Sequence, residues 1–481
     1  MIKPSPSLWQ RITRFGYDAI RSNGRRRATS TRVMSEDTTL KAKDREKLSA
    51  TTQDVQRNFA IAAWAIRQHL NYVSSFTFQA RTGNPEADDA IESFMELWGQ
   101  RQNCDIRRQH PLRRIIRLSE AMRVVNGDHF LLKMGGEGFA RGRLQAVEGD
   151  CVADPPKMTA DETWISGVRL TGAGLAREYS VHKRTTDGRR EWQRNVNAQN
   201  VFVHGFYDRF DQVRGVSPIA AALNSLQDVY EGFDYALAKI KVSQLFGLVF
   251  YREATDSFDG TSATVDADGD GTPESGYEVD FGAGPQMLDL SPGDRAEFLE
   301  SKSPASETVQ FLKLIIHVAL KSLDIPYSFF DESFTNFYGS RGGLIQYLKG
   351  CKHKQQDLQE LLDEITSWRL GMAIADGDLV LPRGIDFEQL NWEWVPDGVP
   401  WWDPAKEVSG HGMAIAAGLD NPQRVCRQAG TDFYENIDLI SQANAYAKER
   451  GVTLVMPGAA TAQTAANDQA QDANQQDSNQ Q

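Results

Sequence analysis

From Ile219 onward the chain sets an apolar residue at alternating steps of four and three: Ile219, Leu223, Leu226, Tyr230, Phe233, Leu237 and Ile240. A 3.5-residue repeat held over three heptads predicts one long helix whose apolar seam must be covered by another helix. Ser217 and Pro218 stand just ahead of it, a capping residue followed by the residue best tolerated at a first helical position. About 28 residues at 1.5 Å each make a rod of roughly 42 Å. The seam can be covered within one chain or by a second subunit, and the repeat alone does not choose between them.

The rest of the chain is mixed. Val55, Phe59, Ala62, Ala63, Ile66 and Leu70 recur at helical spacing over 54–72, residues 75–79 alternate like a strand, and helices are expected at 87–98 and 111–125. Residues 129–205 read as β structure, with a Gly-rich turn at Gly135, Gly136 and Gly138 and a hairpin tip at Asp187-Gly188. A short strand at 247–251 leads into a polar, acidic insertion over 255–284. A helix over 306–323 should stop at Asp324-Ile325-Pro326, because proline disfavours helix in the residue before it. An irregular, mobile loop is expected over 329–343, then a second long helix over 344–372, and two or three short helices from Trp402. Beyond Pro457 the chain is almost entirely Ala, Gln, Asn and Asp, the composition of a disordered tail. The fold class that follows is α+β with long helical struts.

Charge narrows the function. The 481 residues carry 53 Lys and Arg against 65 Asp and Glu, a net charge of −12, whereas a sequence-reading nucleic-acid binder needs a basic footprint to neutralise phosphates. The exception is the N-terminus, where Lys3, Arg11, Arg14, Arg21, Arg25, Arg26, Arg27 and Arg32 face a single acid, Asp18. This basic arm suits a neighbouring subunit, a membrane surface, nucleic acid or an acidic partner. Cys104, Cys151, Cys351 and Cys426 are scattered singly, which fits a reducing compartment rather than a disulfide framework or a zinc site. The most apolar helical stretch, 312–320, is interrupted by Lys313 and His317 and is too short for a membrane span, and no signal-peptide core precedes the body, so a soluble cytoplasmic product is expected.

No catalytic constellation stands out: the chain lacks GxxxxGK[ST], GxSxG and HExxH. Asp266, Asp268 and Asp270 with Gly271 match the first half of a calcium loop, but position 12 is Tyr277, with Glu278 one residue late. These acids are weak metal candidates, and a metal-dependent nucleic-acid-processing enzyme using them is the alternative function. A third possibility is an acidic scaffold that binds a partner through its basic arm. Lys239 and Lys241 near the end of the first long helix, and Lys349, Lys352 and Lys354 on the second, read as solvated helix faces. If those helices lined a channel, the same sparse lysines would touch a polyanion without gripping it.

Several segments together resemble the lambda-type family of tailed-phage portal proteins. They are Gly16-Tyr17-Asp18-Ala19 and Arg57-Asn58; Gln212-Val213-Arg214-Gly215-Val216-Ser217-Pro218 leading into the long helix; Ile325-Pro326-Tyr327; Tyr338-Gly339-Ser340-Arg341; and Trp402-Asp403-Pro404-Ala405-Lys406-Glu407, followed by Gly418-Leu419, Gly430 and Asp432. They occur in the family's order from about residue 16 to 452, while the Asp-rich stretch around Asp266 and the Gly at 339 depart from its pattern.

The resemblance implies a dodecameric ring at one capsid vertex, conducting double-stranded DNA in packaging and ejection, with no catalysis and no cofactor. Its implied partners are further copies of itself, the large terminase subunit, the major capsid protein or scaffold and head-completion proteins, but no membrane. It implies a virion component made in the host cytoplasm. The implied organisation is a basic arm over 1–50, a wing over 51–216, stem helices over 217–247 and 304–326 with a clip over 248–303 between them, a tunnel loop over 327–343, a long helix returning to the wing over 344–400, a helical crown over 401–456 and a polar tail over 457–481. By position alone the DNA channel would be lined by Lys239, Lys241, Asp331, Glu332, Asn336, Tyr338, Arg341, Lys349 and Lys352.

Overall fold

The computed structural model describes residues 33–158, 163–245, 248–252, 264–265, 274–275, 294–298, 306–331, 337–399 and 403–452. They fall into two units, one running up to Ala220 and resuming at Asp331, the other spanning Ala221–Phe330. The expected basic arm up to residue 32 and the polar tail lie outside the described residues.

After a single helical turn at Glu36–Thr39, the first unit continues with helices α1 (Ala42–Asn58) and α2 (Ala60–Val73). One helix over 54–72 was expected; instead the chain breaks at Phe59, whose φ of −106° and ψ of 107° are extended. No Gly or Pro marks the break. α1 starts early because it buries polar residues, Arg45, Ser49 and Thr52, which an apolar period cannot register, whereas α2 buries an ordinary apolar stripe with Ile66, Leu70 and Val73.

Strand β1 (Phe76–Ala80) and helices α3 (Pro85–Trp98) and α4 (Leu112–Asn126) follow. Asn84 caps α3 by accepting from the amides of Glu86 and Ala87, with Pro85 at the first helical position. β2 (Asp128–Met134) is the middle strand of an antiparallel sheet with β3 (Arg143–Glu148) and β8 (Val201–Gly205). The strands β4 (Thr163–Ile165), β5 (Val168–Leu170), β6 (Ala176–Arg184) and β7 (Arg190–Asn197) form a second antiparallel sheet in sequence order, with the expected hairpin at Asp187-Gly188 between the last two. Gly135, Gly136 and Gly138 lie in the turn between β2 and β3, as expected, and feed no helix.

A 3-10 turn at Pro218–Ala222 ends the first stretch of the first unit and leads into the second unit, where α5 (Leu223–Leu245) pairs with α6 (Ser306–Leu320). The helices approach closely at Gly232, where a Cβ would stand 2.7 Å from a Leu312 methyl. Leu223, Leu226 and Val229 are buried on α5, but Tyr230, Phe233 and Leu237, the later seam residues, are about half exposed. α6 closes with a 3-10 turn, Asp324 in the left-handed region at φ 62° and a fully buried Ile325, the stop expected before Pro326. Between the helices, β9 (Leu248–Arg252) pairs with β12 (Asp294–Phe298) and β10 (Thr264–Val265) with β11 (Glu274–Ser275).

The first unit resumes with α7 (Phe337–Asp376), a helix of 40 residues. It takes in Gly339, Gly342 and Gly343, which the expected loop had claimed. Each glycine costs a helix roughly 1 kcal/mol, and the burial of Leu344, Tyr347 and Cys351 just beyond offsets that cost. The same face continues through Leu358, Leu362, Ile365 and Leu370 into the main core with α3, α4, β2 and β3. β13 (Trp392–Pro396) pairs antiparallel with β1 and is pinned to α7 by Gln359, which donates to the Trp394 carbonyl at 2.6 Å, and by Trp394 Nε1, which donates to Thr366 at 3.1 Å. Last come α8 (Pro404–Ala416), α9 (Pro422–Gln428) and α10 (Phe433–Glu449), held to this sheet by Arg81 between Glu393 and Asp432 and by Arg427 on Glu393.

Candidate functional site

The most heavily committed segment is 213–219, immediately before the second unit begins. Arg214 is 1% exposed and lays Nε and Nη2 on the two Asp128 oxygens at 2.6 and 2.8 Å. Its remaining donors reach the carbonyls of Val152 at 2.9 Å, Gly149 at 2.6 Å and Ser166. A guanidinium fork suits this job because its rigid donors match a carboxylate side-on and leave N–H groups for carbonyls. Burial lowers the pKa of Arg214 while Asp128 raises it, and the balance is upward.

Backbone groups complete the lock. The Gly215 amide donates to Asp128 at 2.9 Å, Val216 donates to the Phe206 carbonyl at 3.0 Å, and Phe206 donates to the Gly127 carbonyl at 2.8 Å. Ser217 Oγ donates to the Val124 carbonyl at 2.6 Å and accepts from the Ile219 amide at 3.3 Å, so one hydroxyl ties α4 to the turn before α5. Gly215 and Gly127 pass so close that a Cβ on the former would collide with the carbonyl of the latter, and Gly127 has φ 92°.

A second buried cluster joins α2, α4, β8 and α7. Glu120, with no exposure, accepts from His69 Nε2 at 2.6 Å, His204 Nε2 at 3.1 Å and Arg123 at 2.8 and 2.9 Å. Arg123 continues to Asp357 on α7 at 3.0 Å. Burial alone would push the Glu120 carboxyl up, but Arg123, His204 and His69 hold it well below the usual carboxylate range. His129 is opposite His204 in the sheet, its ring edge-on at 5.7 Å, and burial pushes its pKa down to about 3. Each acid here is matched by donors, and no nucleophile stands beside a base. The cluster fastens helices to the sheet.

α7 brings some of the expected channel residues together. Arg341, Lys349 and Lys352 are eight and eleven residues apart and so share one side of the helix. Lys349 and Lys352 are exposed, while Arg341 pairs with Glu407 on α8 at 3.2 Å. Tyr338 stands in the first turn of α7, and Asp331 is half-buried. Lys239 and Lys241 are exposed on α5, in the other unit. Glu332 and Asn336, and the candidate metal acids Asp266, Asp268 and Asp270, lie outside the described residues. Among the described residues no group of three or more His, Cys, Asp or Glu is placed to hold a metal ion, and no helix is long and apolar enough to cross a membrane.

Asp128, Gly127, Glu120 and Arg123 escaped the sequence reading. One signal was available: Glu120 and Arg123 interrupt the apolar period of α4 three residues apart, and Asp128 follows a glycine at the mouth of an apolar strand.

Three comparisons bear on this arrangement. The family model described as "Phage portal protein, lambda family" matches residues 22–355, which include the whole 213–219 lock. No curated protein matches. Among solved structures, the chain is similar to one in the neck of an empty gene transfer agent particle, at 13% identity and a TM-score of 0.49 over 79% of this chain and 93% of the other. It is also similar to a chain of a native gene transfer agent virion (14%, TM-score 0.45, 81% and 99%) and to an HK97 family phage portal protein from Corynebacterium diphtheriae (10%, TM-score 0.32, 74% and 96%).

Proposed function

The chain belongs to the lambda family of phage portal proteins, and from that premise we propose that it assembles into a dodecameric ring at one capsid vertex. The ring conducts double-stranded DNA during packaging and ejection and is the docking site for terminase and then for head-tail joining proteins. Portal proteins are structural parts of the particle, so the chain is a virion component and not an enzyme. In this reading the first unit supplies wing, long helix and crown, and α5 and α6 are the stem. The strands β9 to β12 belong to the clip, and the segment from Tyr327 to the start of α7 is the tunnel loop.

One observation carries the oligomeric reading. The α5–α6 pair leaves apolar side chains uncovered: Tyr235 is 73% exposed, Phe311 61%, Leu314 56% and Val318 59%. A two-helix unit with apolar residues on its outer sides needs further helices against it, and neighbouring copies in a ring supply them. The crown gives the same impression, since α8 and α9 bury no residue and α10 buries only Ala447.

Native mass measurement and negative-stain imaging of the purified chain, without nucleotide or DNA, test the reading. Rings with a central channel are expected, and Phe311→Asp with Val318→Asp should yield folded single subunits. A wild-type chain that stays monomeric at every concentration and beside its capsid partners would overturn it.

A further inference from the structure

The first turn of α1 opens on a cavity of about 240 Å³ whose charges do not balance. Three of the acids in and behind its wall are already engaged: Glu46 by Arg190 at 2.5 Å, Asp150 by Arg184 at 2.6 Å, and Asp128 by Arg214. Arg45 is different. It is 9% exposed, and its Nη1 donates to the Gly215 carbonyl at 2.5 Å. Among the described residues its Nε and Nη2 are buried without a hydrogen-bond partner. Asp128 and then Asp37 contribute favourable charges without a hydrogen bond to it; one Asp37 oxygen is likewise unpartnered and the other accepts from the Val213 amide at 3.0 Å. Burial, and then the neighbouring Arg214 charge, lower the pKa of Arg45.

The helix end has one acid in its first turn, Asp44, which is exposed to solvent. Lys41 precedes α1 and no side chain caps its first turn, of which Ala42 and Lys43 line the same cavity. Uncapped amides and the positive end of a helix favour an anion, and a buried guanidinium with two idle N–H groups is costly unless one is present. Backbone amides and a guanidinium gathered at one helix end suit a small ion with several acceptor oxygens. A duplex presents its phosphates on a broad, rigid backbone that does not enter a recess of this volume.

We infer that this cavity is a binding site for a small tetrahedral oxyanion of the phosphate class, held by Arg45 and the first turn of α1 with Lys43 beside it. Bound there, the ion joins α1 to the 213–219 segment through Arg45.

The test is the thermal unfolding midpoint of the full chain in chloride, with inorganic phosphate added at matched ionic strength. Because the ion binds only the folded chain, the midpoint should climb by an equal step for each tenfold increase in phosphate above the dissociation constant. Arg45→Met should abolish the climb, and Lys43→Ala, at an exposed position, should shift it to higher phosphate. Should Arg45→Met not fold, phosphorus NMR line broadening of phosphate by the wild-type chain against Lys43→Ala carries the same test. Equal midpoints in phosphate and chloride, or an undiminished response in Arg45→Met, would overturn the inference. So would an Arg45-dependent rise given by duplex DNA at equal phosphate content and not by the free ion.

Discussion

Arg214 and Asp128 stand 86 residues apart in the chain and meet side-on in the interior, both oxygens of the carboxylate taken by one guanidinium at 2.6 and 2.8 Å. Replacing Arg214 by Met leaves the Asp128 charge buried without its cation, with only the Gly215 amide still donating to it, and removes a donor from three carbonyls. Breaking such a pair costs about 3–5 kcal/mol, which a lowered denaturant midpoint will register. Arg214→Lys should rescue little, because one ammonium cannot span a carboxylate and three carbonyls. The double variant Arg214→Met with Asp128→Asn should recover part of the loss, and a wild-type midpoint in Arg214→Met would contradict the account.

Sterics at the neighbouring glycine give a second prediction. A Cβ on Gly215 would collide with the Gly127 carbonyl, backbone against backbone, where no side chain can move aside. Gly215→Ala should therefore cost at least the ~1–3 kcal/mol of an overpacked core. Gly136→Ala is the matched control, since nothing lies within 4 Å of a Cβ there, and its midpoint should stay within about 0.5 kcal/mol of wild type. Equal behaviour of the two variants would sink the argument.

The buried histidines set the response to acid. His129 has its pKa pushed down to about 3 in the fold, against about 6.5 when unfolded. Between those values the unfolded chain holds a proton that the folded chain refuses, so stability falls as pH falls, by up to about 1.4 kcal/mol per pH unit. Burial lowers the pKa of His69 too, which adds in the same direction. Glu120, held low, contributes stability that is present above the ordinary carboxylate pKa and lost as pH drops through its depressed one. Loss should therefore begin near pH 6.5, before carboxylates titrate. His129→Phe, which keeps a ring in the site, should flatten the slope between pH 6 and 4, and an unchanged slope would remove His129 from the explanation.

How much of this was legible beforehand follows from the kind of force involved. The stop at Asp324-Ile325-Pro326 and the Asp187-Gly188 hairpin were readable because backbone sterics act locally. The Arg214-Gly215 motif was visible as a resemblance, but its reason was not, because Asp128 and the carbonyls it serves are distant in sequence. Phe59 breaks a helix with no local signal, since the break is set by where α1 and α2 bury their different faces. The heptad seam called for a covering helix, and α6 covers only part of it. Phe233 and Leu237 stay about half exposed, which apolar spacing alone does not foretell.

Lys349 and Lys352 provide the last prediction, which rests on the portal reading. They are exposed and one turn apart on α7, the helix that also carries Arg341. Exposed lysines contribute little to folding, so Lys349→Gln with Lys352→Gln should leave the unfolding midpoint within about 0.5 kcal/mol of wild type. If they face the channel, each contacted phosphate contributes about 0.9 to the slope of log affinity against log salt. Measured on assembled rings with a blunt duplex, the double variant should bind more weakly at every sequence and show a shallower slope. Lys239→Gln with Lys241→Gln on α5 makes the same comparison for the second unit. A pair whose removal leaves both affinity and slope unchanged does not face the DNA. A change confined to one duplex sequence would point to base readout, which two lysines on an otherwise acidic chain are poorly equipped to perform.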